Sequence, residues 1–407
     1  MISPEDAFEK AAAEATAINQ NPAQRITGLA VAAVSTTGDS YMFKSGFTSI
    51  GENGEALEAI DENTVLWMAS VTKLMTSVAA MQCVERGLIS LDENLEPLLP
   101  EWKHAVLLSG FEKDGSPILE PLKKRPTLRQ LLSHSAGMGY DIKNPLLMRY
   151  HKGKPKAFCG RFSEAFAKTP FVYEPGEAWQ YSGSLDWVGT LVERVNGGIS
   201  LGQFMNDNIW QPLKMESTTF HLETRPELEA RCAKLTIRDP AAKTLTSRAN
   251  DMIARPSKDA NGGAGAFSTV ADIIKLLSAL LNSGQGILAP STVAEMFTSQ
   301  LTNSNHIRDN LADPNFSMGM TTNLPENTPV SFGIGGMIVQ EAINSGRQAN
   351  SMQWGGLPNI SWWIDPKGGV CGIYASQMIP PTDEPSIRIK WLFEKAAYQK
   401  LAPGTRR

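Results

Sequence analysis

WMASVTKLMTSVAAMQCVERGL, residues 67–88, is a helix whose surroundings decide the architecture. Leu74, Val78, Met81 and Cys83, with Ala79 and Ala80 between them, leave it apolar almost all round. Such a helix is covered on every side, here by a sheet on one flank and other helices on the opposite one. Gly87 ends it, and Leu88, Ile89 and Leu91 continue the core. Against this apolar background stand Ser70 and Lys73, which at i and i+3 share one face. Burial disfavours the charged form of a lysine, and a partly neutral lysine can accept a serine proton. The helix start adds free N–H groups and a positive end that suit an oxyanion. The pair therefore reads as an activated nucleophile. The four-residue pattern alone also fits a capping serine beside a chance lysine.

Moving outward, ITGLAVAAVSTTG and SYMFKSGFTSIG are two strand-like segments joined by a Thr-Gly-Asp turn that suits a hairpin. Upstream, Ser3 caps a first helix with Pro4, Glu5 and Asp6 in its opening turn. From about 331 the texture returns to strands, in SFGIGGMIVQEA, NSMQWGG, PNISWWIDP and GGVCGIYASQ, before a closing helix SIRIKWLFEKAAYQKL. Between lie helical runs such as TLRQLLSHSAG, LDWVGTLVERVNGG and STVADIIKLLSALLNSG. Strands at both ends with helices between them predict an α/β unit of the α+β kind spanning 1–407. Its sheet part would come from 1–85 plus 325–407, with a mainly helical part over 86–324. Segments 103–126 and 239–262 are expected to be long surface loops.

Composition narrows the partners. With 42% hydrophobic and 20% charged residues in 407, the chain can bury a large core. A formal net charge of -4 supplies no basic field for nucleic acid or an anionic membrane. No apolar run nears the roughly 20 residues that span a bilayer. Cys83, Cys159, Cys232 and Cys371 have no paired or metal-finger spacing and read as free thiols, and the N-terminus lacks the pattern of a secretory signal; a cytoplasmic location follows as the expectation. Five dispersed histidines predict no metal site, and no cofactor is expected.

Two later stretches carry chemistry. In YEPGEAWQYSGSLDWVGTLVERVNG, residues 173–197, Tyr181 stands between a Pro-Gly turn and a helix starting near Ser184 or Asp186. A phenol there can relay a proton or simply pack. In MQWGGLPNISWWIDPKGG, residues 352–369, Gly355 and Gly356 end a strand and permit close approach of a ligand to the backbone. An amide freed there would complete, with the Ser70 N–H, a two-donor oxyanion hole; a bulge or a bend is the other outcome.

Ser70-Val71-Thr72-Lys73, Tyr181-Ser182-Gly183 and Trp354-Gly355-Gly356, in this order, resemble the serine β-lactamase-like family of penicillin-binding proteins, class C β-lactamases and related esterases. LRQLLSHSAG (128–137), EPGEAWQYS (174–182) and GGAGAFSTVADIIKLLSALLNSG (262–284) extend the likeness over most of the chain. The blocks VTKLMTSVAAMQCVERGLISLDE, LLSGFEKDGSPILEPLKKRPTLRQLLSHSAG and LPNISWWIDPKGG are similar to the fungal transesterases typified by the lovastatin-pathway acyltransferase. The resemblance implies an antiparallel sheet flanked by helices, the transpeptidase-like arrangement. It implies acylation of Ser70, with Lys73 and Tyr181 moving protons. Lactamases of the family carry Tyr-x-Asn and Lys-Thr-Gly; the missing lysine beside Gly355 and Gly356 removes the cation for a β-lactam carboxylate. Trp67 replaces an arginine of the lovastatin-pathway type, which argues against a statin-acid acceptor.

The expected reaction is transfer of an acyl group from a thioester or ester, through a Ser70 acyl-enzyme, to the hydroxyl of a small secondary metabolite such as a polyketide. The N–H groups of Ser70 and Leu357, or Gly356 in place of Leu357, would hold the oxyanion. Trp354, Gly355, Tyr140 and Trp67 would line the substrate pocket. Lys123, Lys124 and Arg125 could meet an acidic acyl carrier protein, or be solvated surface. Ester hydrolysis at the same site is the alternative, and a non-catalytic binding protein on the same fold a third. Ser133, His134 and Ser135 are expected to shape a buried turn and are assigned no chemical role.

Overall fold

The computed structural model describes residues 3–51, 54–153, 169–250, 252–253, 255–312, 324–325 and 327–402. Its centre is a seven-stranded antiparallel sheet built from β1 (Gly28–Ser35), β2 (Ser40–Gly46), β3 (Val330–Phe332), β4 (Met337–Val339), β5 (Ser351–Gly356), β6 (Ile360–Asp365) and β7 (Val370–Ala375). Their order is β2-β1-β7-β6-β5-β4-β3, so the N-terminal hairpin joins the C-terminal meander where β1 pairs with β7, Ala30 opposite Ala375. Because β1 has helices on both faces, its sequence is a continuous apolar run rather than an alternation. Leu29, Val31 and Ala33 face a core completed by α1 (Pro4–Thr16) and the C-terminal helix, with Phe8, Ala12, Phe393 and Ala397 packed there. Ala30 and Ala32 face the larger core, which holds the Ser70 helix.

That helix, α2 (Thr72–Glu85), is buried from Thr72 to Cys83 and packs against α4 (Ser184–Val195), one of the elements of the helical region that also includes α3 (Leu128–Leu132) and α5 (Val270–Leu281). The last helix, α6 (Glu384–Leu401), is tied to β5 through a buried ion pair: the Arg347 guanidinium meets both Glu394 oxygens and also donates to Gln353 on β5. Ser3 caps α1 as expected, accepting from the Asp6 N–H at 3.0 Å.

Three local expectations are corrected. SFGIGGMIVQEA is not one strand: Gly333 to Gly336 fold it into the β3–β4 hairpin, with Gly335 at φ +106° and no room for a Cβ beside Leu74 of α2 without displacement. Segment 103–126 contains a hairpin, Val106–Phe111 with Pro117–Pro121, turned at Asp114-Gly115. Segment 239–262 contributes Leu245–Arg248, which pairs with Leu235–Arg238; that strand runs parallel to Met378–Ile379. Charged, Gly and Pro residues around these short strands make both segments read as loops, yet backbone pairing satisfies their amide groups. Ser70 is also not a helix cap, since it occupies a 3-10 turn, Ala69–Val71, ahead of α2.

Among the described residues no helix is long and apolar enough to cross a membrane. Cys83, Cys232 and Cys371 are free thiols, and Cys159 lies outside the described residues.

Candidate active site

The turn that carries Ser70 is held from three sides. Leu66–Trp67 pairs with Phe267–Ser268, the Met68 N–H donates to the Ala266 carbonyl at 2.9 Å, and the Ala266 N–H donates to Thr72 Oγ1 at 3.1 Å. The Gln377 side chain clamps the Trp67 peptide groups, accepting from its N–H and donating to its carbonyl, both at 3.3 Å. Between these anchors Ala69 takes φ +45°, a left-handed conformation that a non-glycine residue adopts at a cost of order 1 kcal/mol. The turn presents Ser70, which is only 8% exposed.

Lys73 follows one turn later, 2% exposed, and its Nζ has three oxygen partners: Ser70 Oγ at 3.3 Å, Tyr140 Oη at 3.2 Å and the Gly263 carbonyl at 2.7 Å. As an ammonium, Lys73 donates to all three. As a neutral amine it keeps two donors for Gly263 and Tyr140 and turns its lone pair on the Ser70 hydroxyl. The same contacts thus accommodate either protonation state of the lysine.

Aromatic rings close the site. Tyr181 lays its face against Lys73, Nζ lying 4.8 Å from the ring centroid, while its own Oη accepts from Trp354 Nε1 at 3.3 Å. The resemblance implied Lys73 and Tyr181 as the proton-moving pair; among the described bonds the phenol that Lys73 reaches is that of Tyr140. Burial first, then the neighbouring Tyr181, Asp186 and Asp141, pushes the Tyr140 phenol well above its ordinary range, so it is protonated at neutral pH. Trp354 on β5 packs its ring on Tyr181 and Phe332.

The end of β5 comes against the Ser70 turn. A Cβ on Gly356 would lie 2.5 Å from the Met68 carbonyl oxygen, two residues before Ser70, which is why glycine stands there. Leu357 follows and packs on the cluster containing Trp67 and Ala69. Among the described hydrogen bonds neither the Ser70 nor the Leu357 N–H donates to a protein acceptor. Gly355 lies opposite Ser361 in the β5–β6 register. Trp67 is 2% exposed, donates through Nε1 to the Ala264 carbonyl at 2.7 Å and packs with Leu222, Leu228 and Phe267; it backs the Ser70 turn within this core.

His134 lies 4.7 Å, ring to ring, from Tyr181. Its Nδ1 meets the Ser182 N–H at 3.3 Å and Ser184 Oγ at 3.0 Å, and its carbonyl accepts from the Gln180 N–H at 3.0 Å. Burial, aided by the Lys73 charge, pushes the imidazole well below its usual range, so it is neutral and holds the Tyr181 segment in place. Ser133 and Ser135 bond to each other at 3.0 Å. In the basic run, Lys124 pairs with Glu177 at 2.9 Å and Arg125 with Glu96 at 2.6 Å, so two of its three charges already have acidic partners in the chain.

The site also contains groups that sequence reasoning did not assign. Asp186, in the first turn of α4, accepts the Gly263 N–H at 2.7 Å, and Gly263 in turn accepts from Lys73. The available signal was the glycine run 262–263: a Cβ on Gly263 would fall 2.5 Å from Asp186 Oδ2, and one on Gly262 would fall 2.8 Å from the Leu185 carbonyl. Among the described residues no group of three histidine, cysteine or acidic side chains is placed to hold a metal ion.

The chain is similar to known proteins over most of its length. The chain is 34% identical over 387 residues to a lovastatin esterase of Penicillium rubens, covering 93% of this chain and 96% of the relative. It is 35% identical over 356 residues to a monacolin J acid methylbutanoyltransferase of Aspergillus terreus, covering 86% and 85%. The solved unliganded simvastatin synthase of Aspergillus terreus superposes with a TM-score of 0.90 at 31% identity, over 99% of this chain and 100% of that one. The transpeptidase-like fold is shared more widely, as with a penicillin-binding protein homologue from Pyrococcus abyssi at a TM-score of 0.65 and 19% identity. The Beta-lactamase family model matches residues 8–395, and on this coverage together with these relatives the chain belongs to the β-lactamase family.

Proposed function

We propose that the protein is a serine acyltransferase that carries an acyl group on Ser70 from a thioester or ester donor to the hydroxyl of a small secondary metabolite of the polyketide kind. The observation that carries this reading is the three-way contact of Lys73 Nζ with Ser70 Oγ, Tyr140 Oη and the Gly263 carbonyl inside a buried, aromatic-walled site. The amine takes the Ser70 proton as Oγ attacks the donor carbonyl. The developing oxyanion is received by the Ser70 N–H and by that of Leu357, with Gly356 as the alternative. Lys73 returns the proton to the departing thiol or alcohol, with the Tyr181 and Tyr140 hydroxyls as relays. The acceptor hydroxyl then loses its proton along the same route and takes the acyl group.

The esterase named among the relatives keeps ester hydrolysis as the second reading, since the same residues serve whichever nucleophile reaches the acyl-enzyme. Trp354, Gly355 and Tyr140 form the pocket wall in this proposal, with Trp67 behind it. The donor is a small thioester or one borne by an acyl carrier protein, and the working compartment is the cytoplasm, where buried thiols such as Cys83 and Cys371 persist.

Intact-mass spectrometry after incubation with a short-chain acyl N-acetylcysteamine thioester tests the proposal, with Ser70→Ala as control and a chase with water or polyketide alcohols. A Ser70-dependent adduct that survives in water and discharges to an alcohol is expected. Equal decay without acceptor would establish the esterase. Wild-type turnover by Ser70→Ala would remove the catalytic reading altogether. Faster loading from an acylated carrier protein than from the small thioester would identify the donor.

A further inference from the structure

Asp186 is 5% exposed, yet among the described ion pairs no lysine or arginine meets it directly. An isolated buried carboxylate is costly and calls for compensation. Two features provide it. The first turn of α4 offers the positive end of a helix, and the Gly263 backbone joins Asp186 Oδ1 to Lys73 Nζ by two hydrogen bonds of 2.7 Å each. The absence of a side chain at residue 263 is what lets the carboxylate come so close. Around this chain stand His134, Tyr140, Asp141 and Tyr181. His134 and Tyr140 are held in their neutral forms, so the ammonium that Lys73 becomes on taking the Ser70 proton is the cation whose attraction to Asp186 offsets part of the burial cost.

We propose that Asp186 is a positioning residue for Lys73: through the Gly263 backbone its carboxylate fixes the amine against Ser70 and balances the ammonium formed during acylation. This inference rests on the Ser70–Lys73 reading above. In the step itself the Ser70 O–H bond breaks and an N–H bond forms on Lys73. The ammonium later gives that proton to the leaving thiolate or alkoxide, and Asp186 is ionised throughout. Burial lifts the Asp186 carboxyl to about 6, so the charge is present at neutral pH and is lost below it.

The test is Asp186→Asn, which retains an oxygen for the Gly263 N–H and removes the charge. Acylation by p-nitrophenyl butyrate is followed by stopped flow between about pH 5 and 9, with thermal melting to verify folding. At about pH 7.5, kcat/KM should fall roughly 10- to 100-fold with KM little changed, and an acid limb expected near pH 6 in wild type from the Asp186 carboxyl should be lost or move to lower pH. A rate within about threefold of wild type, or a slower rate on an unmoved acid limb, would overturn the proposal. A second measurement covers failure of the variant to fold: in Lys73→Met, the Asp186 carboxyl followed by carbon-13 NMR should titrate about one unit higher than in wild type, and an unmoved midpoint would overturn the coupling. Activity remaining in Ser70→Ala would instead reject the underlying nucleophile assignment, whatever the Asp186 variants did.

Discussion

Substituting Gly356 with alanine attacks the proposed oxyanion hole from its backbone side. The new Cβ would stand 2.5 Å from the Met68 carbonyl oxygen and 3.4 Å from Ile360 Cβ. The first contact must open to 3.0 Å or more, so the end of β5 and the Met68–Ser70 turn separate by at least about 0.5 Å. Neither side yields easily. Gly356 is paired with Ile360 across the sheet, and the turn is pinned by Ala266 and Gln377. Two amides that converge on one oxygen at about 2.9 Å lose much of their stabilisation when they are spread by half an ångström. Loss of one such donor costs about 2.7–4 kcal/mol of transition-state stabilisation, or roughly 10²–10³ in kcat. KM should change little, because the uncharged ground-state carbonyl gains less from those amides. Burst kinetics with a chromogenic ester would separate acylation from turnover, with thermal melting as a control on folding. An acylation rate within about threefold of wild type, under about 0.7 kcal/mol, would refute the placement of the oxyanion at this junction.

Other perturbations have defined outcomes. Arg347→Met leaves the buried Glu394 without its cation and should destabilise the fold by about 3–5 kcal/mol in urea titration. Trp354→Phe removes the Nε1–H that Tyr181 Oη accepts and should lower kcat/KM roughly three- to tenfold without loss of folding. Asp186→Asn should raise the melting temperature at pH 8. The Asp186 carboxyl is lifted to about 6 from 3.8, so its burial cost is fully present above pH 6, and the gap to wild type should close as pH falls from about 6 toward 4. Loss of activity with gain of stability in one variant is the signature of a buried charge retained for chemistry.

How much was legible in advance differed between segments for physical reasons. The α1 cap, the α2 core helix, the two-ended sheet and family membership could be read from local signals: a serine before proline and acids, an apolar run too uniform for a surface helix, strand-like runs and three ordered motifs. Segments 103–126 and 239–262 misled, because their strands are short, lie in small two- and three-stranded sheets, and are flanked or broken by the Gly, Pro and charged residues that mark a loop. SFGIGGMIVQEA misled in the opposite way, since its apolar continuity hid the hairpin at Gly333–Gly336.

The sequence by itself determined that Ser70 and Lys73 lie about one turn apart, a separation that brings the two side chains together whether the chain enters the helix as α or as the observed 3-10 turn. Only the tertiary structure decided which groups meet the lysine. Tyr140 lies 67 residues away along the chain and Gly263 lies 190. Asp186 enters through a backbone bond to Gly263 that no side-chain pattern encodes. Local sequence specifies periodicity and conformational preference. The company a buried charge keeps is settled only when separate segments pack, because the cost of removing it from water depends on every neighbour that packing brings.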